Sequence, residues 1–412
     1  MNEKVKNNQK NRKISLNFWQ LSFLIFGSVG IPGILFGDTI AKQHGVNDSI
    51  LSIGVGNLVI WLIGMIVVSM AAEKKDNAIK NINNYLGKKT AFFASLCIIL
   101  AFLSWYTMQL KAGNLTINHI LNINLNENTH LRSGTAIGLF AALLSIGGLR
   151  FNKHLLIASG ALLFCYMIYL FINSNPIKLA SPFGFSFKAT GVTILFLLPG
   201  TVNFPTFFRY SRSKADSFLA LTLIIVLVAF MELSSLWVKP DILFHPITTT
   251  ILNTQASFKL PLLIMIIIFT TSSLLVNIYF ASACWESIIS NFGGAKEYAI
   301  IGLLGTAAFT FFQIIQPMQF LIDLAIYFIS TLGVILIITF IGSIIRSNSF
   351  AKLLGSASWL IGCFTATVLE YQNPNQKMQT LMTSIGISCL FFLVAFFLEE
   401  TIWSIKRIIK KK

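Results

Sequence analysis

Apolar runs of membrane-crossing length recur along nearly the whole chain, separated by short polar segments. They cover approximately 19–41, 49–72, 91–112, 132–149, 155–173, 189–208, 216–237, 261–283, 298–315, 318–343, 350–369 and 379–402. Each is about long enough to cross a hydrocarbon core of roughly 30 Å as a helix. The pattern predicts an all-α polytopic membrane protein with about 12 transmembrane helices. The first run is the least regular. Phe26 to Asp38 reads FGSVGIPGILFGD, with Gly27, Gly30, Gly33 and Gly37 around Pro32. An interior Gly costs a helix about 1 kcal/mol and an interior Pro about 3. In a bilayer the freed backbone groups are tolerated only where they face protein or a polar cavity. Two uses fit such a segment: a discontinuous helix that builds a binding site, or close helix packing through small residues.

The sixth run is also interrupted, by Pro199–Gly200 and Pro205 within FLLPGTVNFPTFFRY. Interrupted segments at matching places in two halves point to an inverted-repeat transporter. The division that follows puts a basic lead-in at 1–18 and a ten-helix core at 19–343. The core splits into repeats at 19–173 and 189–343, followed by two appended helices at 350–402 and a basic tail at 403–412. The amphipathic stretch Glu73–Lys89 predicts a short helix on the cytoplasmic face, and Asn173–Lys188 an outer loop over a vestibule.

Composition and charge set the orientation. The 412 residues are 55% hydrophobic and 11% charged, against about 25% charged in soluble domains. With the N-terminus inside, 23 of the 31 Lys and Arg fall on cytoplasmic segments, the asymmetry expected of inner loops. Both termini are therefore expected in the cytoplasm, with the chain in the cell (inner) membrane. The net charge of +16 reports this topology, and no soluble basic domain exists that would bind nucleic acid. The basic ends would attract anionic lipid as an accessory effect. The five cysteines lie in or at the ends of apolar spans without CxxC spacing, and the five histidines lack metal-ligand spacing. Neither set predicts a metal site or a disulfide framework.

Polar groups at membrane depth are the candidates for chemistry. Trp105 and Gln109, four apart in the third run, share a helix face, offering an aromatic plane beside an amide that donates and accepts. The plane suits a flat heteroaromatic ligand, although Trp105 is equally an interfacial belt residue. In the eighth run Thr270, Thr271, Ser272 and Ser273 form a hydroxyl cluster, followed by Asn277. Such hydroxyls either bond their own helix or glue helices together, or serve as hard oxygen ligands for Na⁺. Glu232 and Asp323 are the clearest charged residues inside spans and are functional candidates on that ground. Asp38 and Glu286 lie at span ends, where solvated or capping roles are expected. No nucleophile elbow, GxxxxGK[ST] or HExxH occurs, so an enzyme is not expected.

On these residues the chain resembles the nucleobase:cation symporter-1 family of cytosine permeases and hydantoin transporters. In Asn203–Asp216, NFPTFFRYSRSKAD, the positions Pro205, Phe207, Arg209, Tyr210 and Arg212 are similar to a family element, with Thr206 where the family usually has Asp. Trp105 with Gln109 resembles the Trp-x3-Gln of the third helix. Thr271, Ser272 and Asn277 resemble the hydroxyl pair and ligand amide of the eighth, and the TTSS run looks like the sodium-site segment of the wider leucine-transporter superfamily.

The resemblance implies a leucine-transporter-type 5+5 inverted repeat plus two C-terminal helices. It implies a symporter importing a nucleobase (a purine or pyrimidine) or related planar heterocycle by alternating access, with Na⁺ or H⁺ as coupling ion and no other cofactor. Trp105, Phe196, Gln109 and Asn277 would bind the ring. Thr271 and Ser272, with the carbonyls of Gly27 and Gly30, would bind Na⁺. The rivals are a proton-coupled carrier of an amino acid or other metabolite on the same scaffold, acting through Glu232, and a non-transporting membrane receptor.

Overall fold

The computed structural model describes residues 15–121, 127–173, 184–237, 259–288, 294–314, 319–345, 348–374 and 376–411. The lead-in before residue 15 and most of the expected outer loop, 174–183, lie outside the described residues.

The first apolar run folds as two helices, α1 (Phe18–Phe26) and α2 (Gly30–His44), bent by 86° at the break. A capping box fixes the start of α1: the Gln20 amide donates to Asn17 Oδ1 (2.9 Å) and the Asn17 amide to Gln20 Oε1 (3.2 Å), which satisfies backbone donors that a helix N-terminus leaves open. The chain continues through α3 (Val46–Lys74), the short α4 (Ala78–Leu86), α5 (Lys88–Ile120), α6 (Glu127–Ser145) and α7 (Gly148–Asn173). The second half comprises α8 (Phe187–Asn203), the one-turn α9 (Pro205–Phe208), α10 (Lys214–Trp237), α11 (Lys259–Ile288), α12 (Ala295–Ile314) and α13 (Gln319–Ile345). The last two are α14 (Asn348–Gln372) and α15 (Lys377–Lys411).

Among the described residues nine spans are long and apolar enough to cross a membrane, and the bent pair α1–α2 makes a tenth. The molecule is a multi-pass membrane protein. Helices α6 and α12 lie where the fourth and ninth runs were expected, and they pack on each other. The short helix expected within Glu73–Lys89 is α4, which buries Ile79, Ile82 and Leu86. The basic tail expected after 402 continues the last helix to Lys411.

The glycines of the first run serve both uses left open by the sequence. Gly33 and Gly37 let α2 close onto α10. A Cβ on Gly33 would collide with Met231, and one on Gly37 with the Glu232 carbonyl and the Ser235 hydroxyl. Small residues four apart are a common device for bringing membrane helices into contact. Gly27 packs instead on Gly160 of α7. Gly30 is different in kind: its φ of +61° lies in the left-handed region that favours glycine, and it is the residue at which the helix changes direction.

The sixth run behaves differently from expectation. Helix α8 passes through Pro199 without ending, and the interruption comes at Phe204 ahead of Pro205. Pro199 has no N–H to give the carbonyl of Leu195, four residues earlier. At Pro205 the Thr201 carbonyl, which would be orphaned, takes the Phe204 amide at 3.2 Å. A tighter turn thus repairs the second interruption, so the two breaks are unequal.

The core is built around α5 and α11, which run against each other along their lengths. At the C-terminal end α13, α14 and α15 pack on one another, and α13 also packs against α5, α8 and α4. Asp323 pairs there with Lys377 (2.7 Å), and the Tyr327 hydroxyl donates to Glu370 Oε2 (2.9 Å). Asp323, one of the two in-span acids singled out above, therefore has a structural partner.

Replacing Gly37 with Val should lower the melting temperature of the detergent-solubilised protein, by the ~1–3 kcal/mol typical of overpacking. Gly386→Val on α15, where nothing lies within 4 Å of an added Cβ, should leave it unchanged. A melt followed by size-exclusion chromatography checks the pair.

Candidate functional site

At the break between α1 and α2 the amides of residues 27–29 bond back within the segment, and the carbonyls of Ser28 and Val29 are taken up by a side chain of another helix. The amide of Gly27 donates to Phe23 O (3.0 Å), Ser28 to Ile25 O (2.9 Å) and Val29 to Phe26 O (3.1 Å). Gln109 of α5 then reaches in. Its Nε2 donates to the carbonyls of Val29 (2.8 Å) and Ser28 (3.3 Å), while its Oε1 accepts from Ser273 Oγ of α11 (3.2 Å). One amide therefore joins the broken helix to the third and eighth spans, at a side chain only 1% exposed. A Cβ on Gly30 would run into this junction at Gln109 and Ser273.

Beside the junction lies a cavity of about 180 Å³. Trp105, Phe196, Phe102, Phe204 and Phe280 line it with their rings, and Asn277 contributes a polar group. Pro199 denies the Leu195 carbonyl its usual helical donor, and Leu195, Pro199 and Gly200 all line this wall. An interrupted backbone is tolerated in such a place because it faces a cavity rather than lipid.

The rings on either side of the cavity are in contact. Phe36 of α2 stacks on Phe196 at 3.9 Å and 14°, and Trp105 meets Phe196 edge-on at 5.3 Å and 66°. On the other side Phe280 stacks on Phe102 (4.7 Å, 16°) and takes Phe207 edge-on (4.7 Å, 89°). Beyond that floor the backbone of Leu16 pairs with the loop after α9. The Leu16 amide donates to Tyr210 O (2.8 Å), and the Arg212 amide donates to Leu16 O (3.0 Å). The Phe18 amide adds a bond to Asp216 Oδ1 (3.2 Å).

The structure gathers the expected site residues but divides their duties. Trp105, Phe196 and Asn277 line the cavity; Gln109 does not. Its donors and acceptor are engaged at the break, so it positions backbone there. Trp105 and Phe196 touch each other at an angle, so the expected parallel sandwich has no slot between them here. Asn277 Nδ2 bonds the Ser273 carbonyl (2.8 Å), which leaves its oxygen and its second amide hydrogen for the cavity. Thr271 and Ser272 are buried with hydroxyls that have no partner, as is Thr270, an arrangement with oxygens to offer a small hard cation. Gly27 and Gly30 flank the break, Gly27 against Gly160 and Gly30 against Ser273.

Several contributors were missed by sequence reasoning. Ser273, singled out within the hydroxyl cluster but left out of the pair chosen for the cation, makes the bond to Gln109. Phe36, Phe102 and Phe280 carried no signal, being three of 37 phenylalanines. In the motif after α8, Arg209 Nη2 donates to the Tyr210 hydroxyl (2.9 Å) and Thr206 Oγ1 to Asn203 Oδ1 (3.3 Å). The motif's structural work is done by backbone, at Tyr210 and Arg212.

No family model matches the chain, and no curated protein does. Solved structures do. Mhp1, a nucleobase-cation-symport-1 family transporter, superposes in a closed conformation with bromovinylhydantoin bound at TM-score 0.64 and 13% identity, over 94% of each chain. A substrate-bound outward-open Na⁺-coupled sialic acid symporter matches at 0.65 and 12%, covering 94% of this chain and 93% of that one. The Eremococcus coleocola manganese transporter matches at 0.58 and 12%, over 96% and 95%. The chain has the fold of these transporters. This is the leucine-transporter-type fold. Inward-facing Mhp1 matches as well as the closed form, at 0.65.

Gln109→Leu should strand the carbonyls of Ser28 and Val29, while the Ser273 hydroxyl keeps the Thr270 carbonyl as an acceptor (3.0 Å). A buried group left without its partner costs about 1–3 kcal/mol, so the melting temperature should fall. Asn277→Ala, which removes a cavity group, should leave the melt near wild type and act on ligand affinity instead.

Proposed function

We propose that the protein is a cation-coupled symporter that imports a small planar heterocycle of the nucleobase type by alternating access. It would work in the cell membrane with both termini in the cytoplasm, the orientation that the basic loops favour. The observation that carries this reading is the position of the cavity. It lies beside a helix break held by Gln109 and Ser273, between two layers of touching rings. A site between two contacts that separate in turn is what alternating access needs.

The ligand's size and chemistry follow from the wall. Some 180 Å³ falls below the roughly 300–1,000 Å³ of pockets for drug-sized molecules. Trp105 and Phe196 offer ring faces and edges, and Asn277 reads one polar edge. With Gln109 held at the break, further polar contacts fall to backbone: the Leu195 carbonyl freed by Pro199 is one acceptor. Separation of Trp105 from Phe196, with Phe36 moving alongside, would open the slot a flat ring needs.

The coupling ion in this reading is Na⁺, taken by the hydroxyls of Thr271 and Ser272 with carbonyls from the break near Gly27 and Gly30. Their support is the unpartnered state of both buried hydroxyls, which is costly without a ligand. Ion and substrate would share α11 and the α1–α2 break, so each should strengthen the other's binding by the same factor.

Uptake of radiolabelled cytosine, uracil and hydantoin into proteoliposomes tests the proposal. An inward Na⁺ gradient should drive accumulation of at least one of them, and Thr271→Ala should cut it at least tenfold while the protein still folds. Accumulation indifferent to Na⁺ and to Thr271→Ala would remove the sodium site. Absence of any ring-compound uptake under every gradient would remove the substrate class.

A further inference from the structure

The proposed sodium site makes no use of Glu232, the other in-span acid. Its side chain is fully buried in α10. Oε2 accepts a bond from Asn57 Nδ2 of α3 (2.6 Å), and Oε1 has no partner. The second hydrogen of the Asn57 amide goes to the Ile53 carbonyl (3.0 Å), and Asn57 Oδ1 is also without a partner. The two unsatisfied atoms of the pair are thus both acceptors. What the pair lacks is one donor, and a proton on Glu232 is the smallest group that supplies it.

No charge stands by to balance a carboxylate. Helix α10 packs against α1, α2, α3 and α7. Helix α1 has no titratable residue. On α2 Asp38 bonds Lys42 (3.1 Å), and His44 lies at the helix end. Helix α3 has Asp48 in its first turn, with Glu73 and Lys74 at its far end. Helix α7 carries Cys165, Tyr166 and Tyr169 along its second half, with Arg150, Lys153 and His154 in its first turns. Lys214 and Asp216 start α10 itself. Among the described residues none of these forms an ion pair with Glu232. An isolated buried carboxylate is far costlier than its neutral form. A metal ion is a poorer fit, since hard cations take a shell of several oxygens and the pair has two to give.

The pair's place in the fold gives it a route to water. Val228 lies one turn before Glu232, and Ile60 three residues after Asn57. Both line the cavity, so the pair sits directly behind that wall. On its other side is the apolar cluster of Phe36, Ile40, Ile53 and Leu236, with Phe196 packed on it. Helix α2 rests on the backbone of Glu232 itself through Gly37. Movement of α2 that separates Phe36 from Phe196 therefore also disturbs the packing against Glu232.

We propose that the Glu232–Asn57 pair is a proton-binding site worked by this gate, neutral while Phe36 and Phe196 touch and ionising when α2 moves away. One proton leaves Glu232 for solvent on opening and returns on closure, so proton movement accompanies each transport cycle. The inference rests on the alternating-access reading of the cavity but not on the substrate's identity.

The test is pH-difference infrared spectroscopy of the full-length protein in lipid, without substrate. It is paired with cysteine cross-linking of Phe36→Cys to Phe196→Cys to hold the gate shut. Glu232→Gln should remove a protonated-carboxyl band that titrates in the free protein. Cross-linking should make that band insensitive to pH, and reduction of the cross-link should restore the titration. Glu232→Asp should keep a titrating band at a shifted frequency, which separates a proton site from a merely structural acid. A band that persists in Glu232→Gln, or one that keeps the same intensity at every pH with the gate free, would overturn the proposal. So would a titration that the cross-link leaves unchanged. Failure of all uptake would count against the transport function, whereas these spectra speak for Glu232 alone.

Discussion

Everything about this molecule turns on how a broken backbone is kept satisfied at membrane depth. An exposed peptide group in hydrocarbon costs several kcal/mol, so the turn between Phe26 and Gly30 persists only because other groups complete it. The Gln109 side chain does so from one helix and Ser273 completes it from another. The bonding ties α1–α2, α5 and α11 into one unit, and the cavity opens beside that unit. The constraint also explains why glycine must stand at Gly30: the left-handed turn and the Gln109 head occupy the same small space.

Much of the architecture could be read from the sequence because lipid imposes a simple code. Apolar length gives spans, and Gly with Pro at depth marks irregular backbone. Twelve expected runs each have a helix or helix pair beneath them, and the first is broken where FGSVGIPGILFGD says it should be. What the code does not carry is which partner completes a polar group. Gln109 beside Trp105 looked like a ligand-reading amide, since residue type and helix face cannot tell a side chain aimed at a cavity from one aimed at a neighbour's carbonyls. The Pro199–Gly200 pair looked like a break for a similar reason. A helix can run through a proline when the orphaned carbonyl faces a cavity, and that depends on packing far away in the chain.

The hydroxyl cluster illustrates the same limit from the other side. Four successive hydroxyls at 270–273 announced an unusual site, yet the four are not equivalent. Ser273 holds the break, while Thr270, Thr271 and Ser272 remain without partners. Helical geometry turns neighbouring residues about 100° apart, so a run of like residues is dealt out among different duties. Phe280, which lines the cavity, and Phe36, which stacks on the lining residue Phe196, were invisible among the many phenylalanines because only their partners in space distinguish them.

The strap formed by Leu16 has a mechanical meaning of its own. Two backbone bonds lash the start of the first broken helix to the segment following the second. The two discontinuous elements are thereby coupled at one end, like two levers sharing a pin, while α5 and α11 supply the fixed frame. Force applied ahead of Leu16 is delivered straight to that pin. A bulky attachment at the front of the chain would thus load that pin, whereas one at the far end would load α13–α15, which bear on α4, α5 and α8.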